Sequence, residues 1–157
     1  MSIFDSFVKK HEYLICVDSD GCVMDTMNCK HFHCFGPCMV TQWELEEWKD
    51  EILKRWNEIN LFSKTRGINR FKGLAIALSE IHEKYKPITG IAYLQLWADT
   101  APALSNDSVA AAAANAECDD AKTVFKKALS WSKAVNASIV ALPEELKIPY
   151  AGAKEGL

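Results

Sequence analysis

Two carboxylates separated by one residue stand in the string Asp18-Ser19-Asp20-Gly21, directly after the apolar run Tyr13-Leu14-Ile15-Cys16-Val17. Side chains two apart in an extended chain point the same way, so Asp18 and Asp20 can face one pocket where a strand ends. One carboxylate can then attack phosphorus while the other handles the proton of the leaving group, the division of labour that phosphoryl transfer requires. Gly21 permits a tight turn and a close backbone approach. Asp25-Thr26 can cap the next helix. The same aspartates also suit a plain turn with a helix cap, a common use of this residue type.

Two further groups of residues carry chemical possibilities. Lys64, Arg66, Arg70 and Lys72 cluster around Thr65-Arg66-Gly67-Ile68-Asn69-Arg70. Arg66 and Arg70 are suited to bidentate grip of a substrate anion, and a solvated basic turn with Asn69 as helix cap is the alternative. Cys29, His31, His33, Cys34 and Cys38 place five soft ligands within ten residues, so a structural zinc module is a rival from another class. Known zinc spacings use two separated pairs, and here no second pair follows. The bland account is a helix interrupted at Gly36-Pro37.

The elements that must position these residues are mostly helical. Residues 2–10 read as a short amphipathic helix, and Tyr13 to Val17 as a strand buried on both faces. Thr41-Gln42-Trp43-Glu44 has the pattern of a capping box. Behind it Leu45, Trp48, Ile52, Trp56 and Ile59 recur at helical steps. Asn69 can cap a helix whose apolar stripe is Phe71, Leu74, Leu78, Ile81 and Tyr85, ended by Pro87. Further helices are predicted over 91–99, over 105–117 through the alanine run, and through Val124, Phe125, Leu129, Trp131 and Val135. The tail from Leu142 reads as irregular, and the five tryptophans fall mostly on apolar faces.

The string Asp18-x-Asp20-Gly21-x-x-x-Asp25-Thr26 after an apolar run resembles the first motif of the haloacid dehalogenase superfamily. That resemblance implies an α/β fold: a Rossmann-like core, only partly present, with an inserted α-helical cap, the chain itself being mostly α. It divides the chain into residues 1–27 as a core piece with the first motif, 28–140 as the cap, and 141–157 as a return segment to the core. It implies that Asp18 is the nucleophile, forming an aspartyl-phosphate, and that Asp20 is the general acid/base. The Asp18 carboxylate and the Asp20 backbone carbonyl would ligate Mg2+. An Asp at the second position favours phosphatase over dehalogenase chemistry. The Thr65–Arg70 stretch resembles the substrate-facing cap loop of phosphatase- and phosphomutase-like members, which makes Arg66 and Arg70 substrate-binding. The expected reaction is magnesium-dependent hydrolysis of a small phosphorylated metabolite. A phosphomutase of the same superfamily and a non-catalytic anion- or partner-binding fragment are the alternatives.

The resemblance also implies what is missing. Ile148–Leu157 resembles the segment before the family's second motif, so the Ser or Thr, the Lys and the further acidic pair that complete such a site lie outside these residues. Another chain supplying the missing core strands is the partner this implies. These residues alone are expected to hydrolyse p-nitrophenyl phosphate no faster than an Asp18→Asn control.

Bulk properties narrow the rest. The 157 residues suffice for one domain. A net charge of -3 gives no electrostatic case for nucleic acid or anionic membrane. No apolar run approaches the ~20 residues of a spanning helix. Without an export signal, the six cysteines are expected as reduced thiols and the protein as cytoplasmic.

Overall fold

The computed structural model describes residue 8, residues 10–13 and residues 15–156. The expected helix over 2–10 lies mainly outside them. The expected α/β core is not what the chain forms: among the described residues there is no β-strand, and the ordered mass is a helical bundle. The run that was to open a parallel sheet has irregular backbone, with Tyr13, Ile15 and Val17 exposed. The physical reason is the lack of neighbours. A strand's donors and acceptors need an adjacent strand, and the described residues supply none to this run.

The bundle begins with α1 (Met27–Lys30), a π-helical turn over His31–Phe35 and α2 (Gly36–Trp43), which form one continuous helix. The expected break at Gly36-Pro37 does not occur. Proline lacks an N–H and clashes with the carbonyl one α-turn back; here the wider π turn lies immediately before it, so the helix passes through. The expected capping box is also corrected. Thr41 to Trp43 close α2, and Glu44 takes a left-handed conformation with φ 56°. The next helix, α3 (Lys49–Asn57), starts after a single 3-10 turn and runs into a second π-helical turn over Glu58–Phe62.

Four more helices complete the bundle: α4 (Arg70–Lys84), α5 (Ile91–Thr100), α6 (Asn106–Ala114) and α7 (Asp119–Val140). Asn69 caps α4 by accepting from the Phe71 N–H at 2.9 Å, and Ser105 caps α6 through the Ser108 N–H at 3.1 Å. The alanine run thus forms the expected helix. Cys118 sits at the N-cap of α7, so the Asp119-Asp120 pair opens a helix, where carboxylates complement the helix dipole.

The long α7 packs on α2, α5 and α6, and its Trp131 is the hub of an aromatic core. Trp131 lies 6.0 Å from Phe35, 6.0 Å from Trp56 and 6.1 Å from Phe71, centroid to centroid. Its indole N–H donates to the Phe35 carbonyl at 3.1 Å, so this fully buried residue leaves no donor unpaired. Trp43, Trp56 and Trp131 are buried and Trp48 and Trp97 are packed against the core.

The two ends of the bundle meet. The Asp25 N–H donates to the Ile148 carbonyl and the Tyr150 N–H donates to the Val23 carbonyl, both at 2.9 Å. Met24 and Pro149 thereby form an isolated antiparallel bridge. The chain leaves the aspartate loop, makes the whole bundle, and returns beside its own starting point. A short α8 (Ala153–Gly156) follows.

Candidate functional site

The aspartate loop closes on itself before the bundle begins. The N–H groups of Cys22, Val23 and Met24 all converge on the Ser19 carbonyl, and the Gly21 N–H donates to the Met24 carbonyl at 2.9 Å. Gly21 adopts φ 74°, a conformation that side-chain-bearing residues rarely take. This turn sends the chain into α1 and sets Asp20 against the helix start. Thr26 donates its hydroxyl to one Asp20 oxygen at 2.7 Å, and the Lys30 ammonium donates to the other at 2.5 Å.

Those hydrogen bonds, Lys30 first and Thr26 second, hold the Asp20 carboxyl below the usual carboxylate range. Asp20 is therefore a carboxylate in this arrangement. To donate a proton to a leaving group it must first part from Lys30. Asp18 lies two residues earlier, exposed on irregular backbone.

The loop carrying Arg66 stands beside this turn. Gly67, with φ 76°, and Gly21 both pack against Met27: a Cβ on Gly21 would lie 3.5 Å from Met27 Cβ, and one on Gly67 would lie 3.9 Å from Met27 Cε. The π turn at 58–62 builds this second loop. Carbonyls freed at its end are taken up by loop groups, with the Thr65 hydroxyl on Ile59 at 2.5 Å, the Gly67 N–H on Asn60 at 3.3 Å and Arg66 Nη1 on Leu61 at 2.9 Å. Arg66 is thus tethered by one nitrogen, and the residue is exposed.

Arg70 is held differently. Its Nη1 donates to Ser132 Oγ at 3.1 Å and to Asn136 Oδ1 at 2.7 Å, while its Cζ lies 5.0 Å from the centre of the Phe35 ring. No carboxylate pairs with it among the described residues. Burial pushes its pKa down, as expected for a cation withdrawn from water. It borders a cleft of about 290 Å³ lined also by Asn69, Leu104, Ser105, Asn106 and Asn136.

His31 joins the same region. Its ring stacks on Phe35 at 4.7 Å, and its Nδ1 accepts the Trp56 indole N–H at 3.1 Å. Burial, then the positive fields of Arg66 and Arg70, push its pKa down to about 4. His31 is therefore neutral, with its proton on Nε2. On the returning strand-like segment, Asp25 raises the Tyr150 hydroxyl, and Arg66 acts on it in the opposite direction.

The residues singled out from sequence are partly assembled. Asp20 and Gly21 are brought next to the Arg66 loop through Met27. Arg66 and Arg70 both act on His31. Lys30, Phe35, Ser132 and Asn136 are the partners that sequence reading missed. Lys30 had a legible signal, a basic residue four positions after Thr26. The Thr26 hydroxyl goes to Asp20 and makes no side-chain cap of the helix, contrary to the expected cap. Ser132 and Asn136 had none, lying more than sixty positions from Arg70.

The five soft ligands do not converge. His31 is committed to Trp56 and Phe35, while His33 is exposed. Burial raises the Cys29 and Cys38 thiols and so disfavours the thiolates that zinc binds. All six cysteines are free. Among the described residues, no group of three or more His, Cys, Asp or Glu is placed to hold a metal ion. A magnesium ion takes about six oxygen ligands. The expected ligands, the Asp18 carboxylate and the Asp20 backbone carbonyl, are not joined by a group of further acidic side chains among the described residues, so the residues present do not fit a complete magnesium centre and no step is routed through one. No helix among the described residues is long and apolar enough to cross a membrane. Compared with models of known families, with curated proteins and with solved structures, the chain matches none.

Proposed function

We propose that this chain is the aspartate-loop and helical-cap part of a haloacid dehalogenase-like phosphohydrolase acting on a small phosphate monoester. The observation that carries the reading is Arg70: a half-buried guanidinium with no carboxylate partner, opening on a polar cleft. Uncompensated charge in a partly buried position is costly, and an incoming phosphate relieves it through charge-assisted hydrogen bonds. Two arrangements support the rest. The ends of the bundle pair beside the aspartate loop, as an inserted cap requires, and Gly21 and Gly67 share Met27, which sets Arg66 next to that loop.

In this reading Arg66 and Arg70 hold the phosphate. An Asp18 carboxylate oxygen attacks phosphorus, the ester P–O bond breaks, and the alkoxide leaves with a proton. Water then hydrolyses the aspartyl-phosphate, returning the carboxylate and releasing inorganic phosphate. Asp20 serves as proton donor only after Lys30 withdraws, since the Lys30 contact holds its carboxyl below the usual carboxylate range. Balancing the negative charge of the intermediate calls for further cationic groups from another chain, so these residues alone bind the ester without turning it over. Removing such stabilisers costs ~10²–10³-fold each in rate.

Calorimetric titration with inorganic phosphate tests the binding half. Arg66→Ala and Arg70→Ala should each weaken binding by about tenfold or more. Asp18→Asn, which removes a like charge, should tighten it. Phosphate affinity indifferent to all three substitutions would sink the reading. Assays with p-nitrophenyl phosphate and magnesium complete the test, with equal background rates expected for the chain and Asp18→Asn.

A further inference from the structure

On the reading that Arg70 binds the phosphate of the ester, we infer that Asn136 determines the specificity of its cleft. One end of the Asn136 amide holds the guanidinium, and the other donates to the bound phosphate. Ser132 and Asn136 stand one helical turn apart on α7 and both accept from Arg70 Nη1, at 3.1 Å on Oγ and 2.7 Å on Oδ1. A guanidinium carries donors and no acceptor, so the Asn136 atom that faces it is the amide oxygen. The NH2 of that amide is left for another partner, and among the described residues it has none. Asn136 lines the same cleft of about 290 Å³ that Arg70 borders. Amide N–H donors and a cation thus stand side by side on one wall.

What this position excludes is a carboxylate. An aspartate there keeps the oxygen that faces Arg70 and exchanges the donors for a second, negative oxygen. It would pair the guanidinium as Glu80 pairs Arg55, whose two bonds measure 2.7 and 2.8 Å, and it would repel an entering anion. Asparagine keeps the anchor without spending the charge, and the fully buried Ser132 does the same. The rest of the lining agrees. Asn69, Ser105 and Asn106 are uncharged, and among the described residues no carboxylate lines the cleft. Asn69 ties the starts of α4 and α6 together, accepting the Phe71 N–H and donating through Nδ2 to the Leu104 carbonyl at 3.2 Å. Both helix N-termini favour negative charge at that end of the cleft. The isosteric acid at 136 therefore keeps the shape of the cleft and reverses its preference for anions.

Calorimetric titration with inorganic phosphate tests this on the full chain, comparing wild type, Asn136→Asp, Asn136→Ala and Arg70→Ala, with urea denaturation of each. Asn136→Ala removes anchor and donors together and should weaken phosphate binding by ~10-fold. Asn136→Asp keeps the anchor, so its urea midpoint should hold or rise, yet its affinity should fall by ~100-fold or more. A merely structural Asn136 would tie affinity to stability, and the aspartate variant separates the two. An Asn136→Asp variant that binds phosphate like wild type overturns the inference. So do equal losses in the aspartate and alanine variants, or a loss in Asn136→Asp that follows a drop in its urea midpoint. Phosphate binding lost in Arg70→Ala and retained in Asn136→Asp leaves the functional reading standing without it. A wild type that takes up no phosphate sinks the reading itself, and the role of Asn136 with it.

Discussion

Arg55 and Arg70 sit on successive long helices, and their surroundings are opposite. Arg55 gives Nε and Nη2 to the two oxygens of Glu80, at 2.7 and 2.8 Å, and Nη1 to Glu58 at 3.0 Å. Each partner reinforces the other's charge: Arg55 holds Glu80 below the usual carboxylate range, and Glu80 raises Arg55. Arg70 has only the neutral acceptors Ser132 and Asn136 and the face of Phe35. The first arrangement is a finished surface clamp between α3 and α4. The second is an unfinished one, placed where α4, α7 and the π turn meet, with its charge still to be matched. Structural arginines consume their counter-ions; an arginine kept without one is available to a ligand.

The largest effect should come from removing the shelf beneath the Arg70 region. Trp131 contacts Phe35, Trp56 and Phe71, so Trp131→Ala should lower unfolding free energy by about 3–5 kcal/mol in urea denaturation. It should weaken phosphate binding as well. Survival of binding at full strength would separate Arg70 from that shelf.

A pH effect of similar size belongs to the same side of the molecule. His31 titrates near 4 when folded and near 6.5 when unfolded, so between those values the unfolded chain binds a proton that the folded chain does not. Stability should therefore fall as pH drops from about 6.5 to about 4, by up to roughly 3 kcal/mol, and level off below. His31→Phe should flatten that slope in the same denaturation series. An unchanged slope would assign the acid sensitivity elsewhere.

The two arginines then separate directly. Arg70→Met should leave stability unchanged or raise it, since it replaces a partly buried unmatched charge by an apolar chain, while phosphate affinity drops ~10-fold or more. Arg55→Ala should cost less than about 1 kcal/mol, a loss that vanishes in high salt, with no change in phosphate affinity. Equal phosphate responses in the two variants would erase the distinction between clamp and site.

Much of the bundle was legible in the residues. Asn69 and Ser105 cap helices because a side-chain acceptor satisfies orphan N–H groups locally, and the stripe Phe71, Leu74, Leu78 and Ile81 is buried as its spacing predicts. The misreadings have equally local causes. Thr41 to Glu44 has the composition of a helix start, but Glu44 turns left-handed to end one. Gly36-Pro37 has the composition of a break, but the π turn before it absorbs the missing donor. Tyr13 to Val17 has the apolarity of a strand, yet apolarity cannot pair a backbone.

Of the site, Asp18, Asp20, Arg66 and Arg70 were visible as residue types suited to phosphate chemistry, because charge, side-chain length and spacing along the chain are properties of the sequence itself. Their state was not. Thr26 and Lys30 reach Asp20, and Leu61 tethers Arg66, within ten positions, through local turns whose form the residue types did not announce. That Arg70 lacks a counter-ion beside Ser132 and Asn136 is decided by which segments pack together. Burial and hydrogen-bond partnership depend on neighbours distant in the chain, so only the tertiary structure tells a spent charge from an available one.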